Sequence, residues 1–182
     1  RVIAGIMGVT AEEKKRMVAF VQCQGDCDKT SSDYEYTGIH ACRMLSFVPN
    51  GGAKSCNYGC LGYGSCVSVC PFDAIHVVNG VAKVDKEACK ACGKCVEVCP
   101  KHLISLIPYD AKYAVTCSSK DKGKDVMQAC SVGCIGCGLC AKNCPFEAID
   151  FEYNIAEINQ DKCKKCGICV EKCPKKIIHA QQ

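Results

Sequence analysis

The chain has 182 residues with a formal charge of +4, and 21 of them are cysteine, with no tryptophan and only 7% aromatics. So much cysteine admits a disulfide scaffold or a metal protein; the odd count argues against a fully paired disulfide framework, and the thin aromatic supply leaves bound metal as a main source of folding energy. The longest apolar runs, such as Val2 to Val9, fall far short of the roughly 18 to 20 residues of a membrane span, no signal peptide is visible, and an opening on Arg1 reads as a processed or truncated piece of a longer protein.

In chain order, Thr10-Ala-Glu-Glu13 is a capping box that predicts a short helix through Met17. Val18 to Gln22 predicts a strand ending at Cys23. Residues 28–55 are polar and glycine-rich, and predict an insertion loop with one short helix near Ile39–Leu45. From Cys56 the sequence is duplicated: Cys56 to Cys99 aligns without gaps on Cys130 to Cys173, an offset of 74 residues. The runs Ala74–Val78 and Val81–Val84, joined by the type I′ turn signal Asn79-Gly80, predict a hairpin. Ile149–Phe151 and Ile155–Ile158 repeat it. Residues Val96–Val98, Ala141–Asn143 and Val170–Lys172 suit short helices ended by the next Cys-Pro. A strand from Tyr113 to Thr116, ending at Cys117, extends the duplication upstream, with roughly 20 extra residues in the first half.

The predicted fold is therefore α+β: tandem duplicated bacterial-type two-cluster ferredoxin-like domains with an N-terminal helix/strand extension. Residues 1–55 form the extension, carrying Cys23, Cys27, Cys42 and the insertion loop. The first domain covers 56–110 and the second 111–182.

Three modules carry the full C-x2-C-x2-C-x3-C-P run: Cys89 to Pro100, Cys134 to Pro145 and Cys163 to Pro174. In this spacing three thiolates on one tight loop hold three corners of a [4Fe–4S] cubane, and the fourth cysteine serves the other cluster of the pair. The expected sets are Cys134, Cys137, Cys140 and Cys173; Cys163, Cys166, Cys169 and Cys144; and Cys89, Cys92, Cys95 and Cys70. The remaining module reads Cys56-Asn-Tyr-Gly-Cys60-Leu-Gly-Tyr63-Gly-Ser-Cys66, with Tyr63 where the second cysteine should stand. Either Cys60, Cys66 and Cys99 hold a [3Fe–4S] cluster, or Cys56 completes a fourth [4Fe–4S] site; the second is the expectation. Cys130 occupies the place of Cys56 in the other half, where four ligands already exist. Cys23, Cys27 and Cys42, with Cys117, Cys130 or Cys56, are candidates for a fifth cluster, with buried free thiols as the plainer reading.

Four such clusters, each about −2 with its thiolates, would bring the holo-protein to about −4. Lys90, Lys94, Lys164, Lys165, Lys172, Lys175 and Lys176 flank the runs; they form a solvated face or a docking patch for an acidic redox partner. Structural zinc is the rival for any four-cysteine site, but it favours two separated C-x2-C knuckles. No dinucleotide fingerprint, P-loop or nucleophile–base constellation is present, so the chain is expected to move electrons without a catalytic site of its own, and no feature points to nucleic acid.

Ala19-Phe-Val-Gln-Cys23-x3-Cys27, Tyr36-x-Gly38, Gly51-Gly52-x-Lys54-Ser-Cys56-x3-Cys60-Leu-Gly-Tyr-Gly-Ser-Cys66 and Cys70-Pro-Phe-Asp-Ala-Ile75 together resemble the B-subunit family of the Rnf complex of anaerobic bacteria. The resemblance implies an electron-transfer component of a membrane-bound ferredoxin:NAD+ oxidoreductase, a translocase of Na+ or H+. Its B subunit takes electrons from reduced ferredoxin and passes them toward the other Rnf subunits. It also implies a place on the cytoplasmic side of the cell membrane, held by an N-terminal membrane helix that lies outside this sequence, with no membrane contact by the segment itself. A free-standing polyferredoxin, or a ferredoxin-like subunit of a hydrogenase or bifurcating enzyme, shares the chemistry and differs in partner. A zinc-bound structural module is the alternative of another class.

Overall fold

Short strands and very short helices alternate twice in the computed structural model, which describes residues 15–179. In the first unit β1 (Met17–Val21) is followed by α1 (Ser65–Ser68), the hairpin β2 (Ile75–Val78) and β3 (Val81–Val84), α2 (Lys94–Val98) and β4 (Ile104–Pro108). The second unit repeats the order: β5 (Ala114–Val115), an added helix α3 (Gly123–Ala129), α4 (Leu139–Lys142), β6 (Ile149–Glu152), β7 (Ile155–Ile158), α5 (Ile168–Lys172) and β8 (Ile178–His179). Both have the βαββαβ order of a two-cluster ferredoxin.

Among the described residues every sheet has two antiparallel strands. In each unit the first strand pairs with the last and the two middle strands form the hairpin. Val21 lies opposite Ile104, and Val115 opposite Ile178, which is the same register in both halves. Ile75 faces Val84 as Ile149 faces Ile158. Each pair turns one apolar row inward, so Val18, Ile75, Ala82 and Leu103 form one core and Val115, Ile149, Ala156 and Ile177 form its counterpart. Cysteines complete both: Cys66, Cys89 and Cys95 in the first, Cys134, Cys140 and Cys169 in the second.

Strand β1, in the stretch expected as an extension, pairs with β4. The N-terminal strand is an edge of the first unit, because the hydrogen-bonding edge of β4 needs a partner and β1 supplies it. The following segment up to Cys56 is an insertion between strand and cluster loop. The helix expected from Thr10 lies outside the described residues, apart from its end, where Met17 already begins β1. The helix expected near Ile39–Leu45 is a 3-10 turn over Cys42–Phe47, anchored by the buried Leu45. Helix α3 has no counterpart in the expectations: Val126 is its one buried residue, too little apolar pattern to signal a helix.

The hairpin turns are type I′ in both halves. Asn79 and Gly80 have φ of 47° and 74°, and Tyr153 and Asn154 have 48° and 63°, the two positive φ values this turn requires. The cluster loop packs hard on the first turn: a Cβ on Gly62, whose φ is +79°, would stand 2.6 Å from the Gly80 carbonyl oxygen. A Gly62→Val exchange should therefore cost about 3 kcal/mol or more, from a β-branched residue at positive φ and a clash with backbone. Thermal unfolding of the anaerobic holo-protein measures it, and an unchanged midpoint would refute it.

Candidate metal centres

All four cysteine loops share one backbone course. The second residue after the leading cysteine has positive φ in each: Gly62 (79°), Ala91 (53°), Gly136 (65°) and Lys165 (57°). The residue before each helix is a left-handed glycine, namely Gly64, Gly93, Gly138 and Gly167. Two left-handed positions in so short a loop curl the chain and turn peptide N–H groups inward. They find sulfur: Ala91 N–H donates to Cys89 Sγ at 3.5 Å and Lys165 N–H to Cys163 Sγ at 3.4 Å. Two of the four cysteines that precede a proline are served the same way, by Leu103 N–H to Cys99 and Ala148 N–H to Cys144, both at 3.4 Å. Strand amides add Ala19 to Cys89 and Ala82 to Cys60, again at 3.4 Å. Such donors stabilise charge on sulfur and tune any metal it holds.

Cys134, Cys137, Cys140 and Cys173 line one cavity, closed by Pro174, Ile177 and Ile178. Cys95 stands near Cys89, Cys92 and Cys70: burial first, then the neighbouring thiolates, push its thiol up. Burial, with Cys163 and Cys166 beside it, raises Cys169 to about 11, and Cys144 packs in the same core at the repeat position of Cys70. Cys92, Cys137 and Cys166, the middle cysteines of the runs, are exposed. All 21 cysteines are unbridged.

The structure differs from expectation in the Tyr63 loop. Cys60, Cys66 and Cys99 line their cavity with Cys42, and Cys56 is not there. The insertion folds back over the loop to bring Cys42 in. His40 stacks on the Tyr63 ring with centroids 4.8 Å apart, Tyr36 lies 5.8 Å from the same ring, and Cys42 N–H donates to Ser65 Oγ at 3.0 Å. Tyr63 thus serves as the platform on which the segment carrying Cys42 rests. Burial, then repulsion from Cys60 and Cys42, pushes the Cys66 thiol up to about 12. The one hint in the sequence is that Cys42 sits in the insertion that the first half has and the second lacks.

The expected fifth set also divides. Cys23 and Cys117 line a second cavity together with Cys56 and Cys130, Cys42 belongs to the Tyr63 site, and Cys27 is exposed beside the Gly80 turn. Among the described residues no three His, Cys, Asp or Glu side chains converge closely enough to share one metal ion. A tetrahedral zinc needs its sulfurs about 2.3 Å from a single centre, whereas a cubane spreads its thiolates over separate iron corners. Burial also holds the Cys134 and Cys140 thiols above their ordinary value, which favours the protonated form until a metal displaces the proton.

The profile of the 4Fe-4S dicluster domain matches residues 88–148 and 133–177, and that of the LdpA Fe-S cluster-binding domain matches 65–110. The B subunit of the Na(+)-translocating ferredoxin:NAD(+) oxidoreductase complex of Acetobacterium woodii is 48% identical over 90% of this chain and 49% of its own length. The B subunit of the proton-translocating ferredoxin:NAD(+) oxidoreductase complex of Clostridium ljungdahlii is 46% identical over 88% of this chain and 57% of its own. This chain belongs to the Rnf B-subunit family. The B subunit of the ion-translocating oxidoreductase complex of Methanosarcina acetivorans agrees, at 40% identity over 88% of this chain and 61% of its own. The chain thus spans about half to three fifths of the Rnf B relatives it matches. A solved formate dehydrogenase–heterodisulfide reductase–formylmethanofuran dehydrogenase complex from Methanospirillum hungatei aligns at 22% identity and TM-score 0.27, over 66% of this chain and 51% of that one, and carries no argument. This Rnf B chain is an iron–sulfur electron-transfer protein of the tandem ferredoxin-like type, and among the described residues no helix is long and apolar enough to cross a membrane.

Proposed function

We propose that this chain accepts electrons from reduced ferredoxin and relays them, one at a time, toward the other subunits of an ion-translocating ferredoxin:NAD+ oxidoreductase. Four [4Fe–4S] clusters are held by Cys42, Cys60, Cys66 and Cys99; by Cys70, Cys89, Cys92 and Cys95; by Cys134, Cys137, Cys140 and Cys173; and by Cys144, Cys163, Cys166 and Cys169. The observation that carries this is the repetition of one loop, with the same left-handed positions in all four modules and sulfur-directed amides at Cys89, Cys99, Cys144 and Cys163. Four thiols around the Tyr63 loop favour [4Fe–4S] over [3Fe–4S] there.

A thiolate-bound [4Fe–4S] cluster supplies reversible one-electron transfer at a potential set by hydrogen bonding and solvent exposure. The protein's own share is to anchor the irons through cysteine, to direct N–H donors at the sulfurs, and to decide which sites face a partner. The exposed Cys92 and Cys166 favour entry there, since each lies beside lysines: Lys90 and Lys94 flank the first, Lys164 and Lys165 precede the second. Lys165 is tied to Asp110 at 2.5 Å, which leaves Lys90, Lys94 and Lys164 to meet an acidic donor.

Mixing the anaerobic chain with a reduced low-potential ferredoxin should bleach its visible absorbance. The rate should fall as salt rises, because steering between a basic patch and an acidic partner is screened. No bleaching at any ionic strength would sink the ferredoxin-donor reading.

A further inference from the structure

Each half of the duplication has cysteines to spare, and they meet at the joint between the units. Cys23 follows β1 and Cys117 follows β5, two equivalent places in the fold. Cys56 and Cys130 share one repeat position, four residues ahead of Cys60 and Cys134. All four line a single cavity, with Cys130 buried and the others half-buried.

The arrangement is two copies of one contact. Cys60 N–H donates to Cys23 Sγ at 3.3 Å, and its repeat mate, Cys134 N–H, donates to Cys117 Sγ at 3.3 Å. Glycine brings backbone close to sulfur: a Cβ on Gly25 would stand 3.3 Å from Cys130 Sγ, and one on Gly59 would stand 3.6 Å from Cys56 Sγ. The walls are stitched across the joint. Ser31 N–H donates to Ala129 O at 3.1 Å, Ser131 N–H to Lys29 O at 2.9 Å, and Ser118 Oγ to Tyr58 O at 3.1 Å. A cluster of inert thiols would be packed together as small hydrophobes. Here four sulfurs, two from each half, instead surround a void, and Cys23 and Cys117 receive N–H groups as sulfurs of the loop sites do.

We propose that Cys23, Cys56, Cys117 and Cys130 hold a fifth [4Fe–4S] cluster, with two thiolates from each unit, so that the joint between the units is itself a redox centre. The proposal rests on the reading of the four loops as cluster sites. Assembly exchanges the four thiol protons for bonds to the four irons and leaves the oxidation state of the protein unchanged. It accounts for Cys56 and Cys130, each in excess within its own module, and it leaves Cys27 as the one cysteine outside every set.

Iron and acid-labile sulfide counts on the anaerobically prepared chain test it. The wild type should hold about 20 irons, four for each of five cubanes. A Cys56→Ala/Cys130→Ala variant should lose about a fifth of both iron and sulfide, and Cys27→Ala should lose neither. A wild-type count of about 16 would overturn the fifth site and leave the four loops standing, whether or not the double variant folds. A double variant that retains the wild-type count would overturn it as well. Iron and sulfide near zero in the wild type would overturn the four-loop reading and this one with it.

Discussion

Replacing Cys42 with alanine should convert one [4Fe–4S] site into a three-thiolate site, with loss of one iron and an oxidised [3Fe–4S] EPR signal. The same change at Cys56 should leave the Tyr63 site untouched. The expectation follows from the cavity around the Tyr63 loop, which Cys42 lines with Cys60, Cys66 and Cys99. Alanine removes the only thiol the insertion contributes there, while the Tyr36, His40 and Tyr63 contacts that hold the segment in place remain. The site should therefore lose a ligand without losing its shape. No loss of iron and no [3Fe–4S] signal in Cys42→Ala would overturn the assignment. Cys42→Ser provides a graded check, because a serine oxygen is a harder and weaker ligand for iron than a thiolate.

Stripping the iron should unfold the chain outright. Without clusters little remains to hold it: two-stranded sheets, which are marginal alone, and helices of four to seven residues, well under the roughly 12 residues at which isolated helices begin to persist. The largest fully buried side chains are Leu45, Ile75, Leu103, Ile178, Val18 and Val81, and no aromatic ring is among them. Cysteines make up much of both cores, so removing iron leaves voids as well as protonated sulfurs. Structural metal binding is worth on the order of 10 kcal/mol per site, against a total of about 5–15 kcal/mol for an ordinary domain. Acid or chelator treatment should abolish slow amide exchange in β2 and β8, and anaerobic iron and sulfide should restore it. An apo-protein that retained slow exchange in those strands would show a self-sufficient core.

What can be read along a chain is what local geometry dictates. A C-x2-C-x2-C run with its glycine curls one way whatever surrounds it, so three ligands of a cubane lie within seven residues and announce themselves. The Asn79-Gly80 turn and the alternating Ile75–Val78 row are equally local, and the 74-residue duplication multiplied each signal by comparison with its twin. Membership of the Rnf B family was legible in the same stretches, from Cys23 to Ile75.

Tertiary structure alone decided the rest, wherever a thiol travels far to its partners. Cys56 precedes Cys60 by four residues, yet it faces the joint, while Cys42 arrives from the insertion because its segment stacks on Tyr63. Strand β1, read as an extension, became an edge of the first unit because β4 needed a hydrogen-bonding partner. Cys23, Cys56, Cys117 and Cys130 come together only when the two halves dock. Loop closure over such separations depends on which surfaces pack, and spacing along the chain holds no record of that. The abundance of cysteine with which the sequence opens thus determined the chemistry, and the packing of the two halves determined which sulfurs share a site.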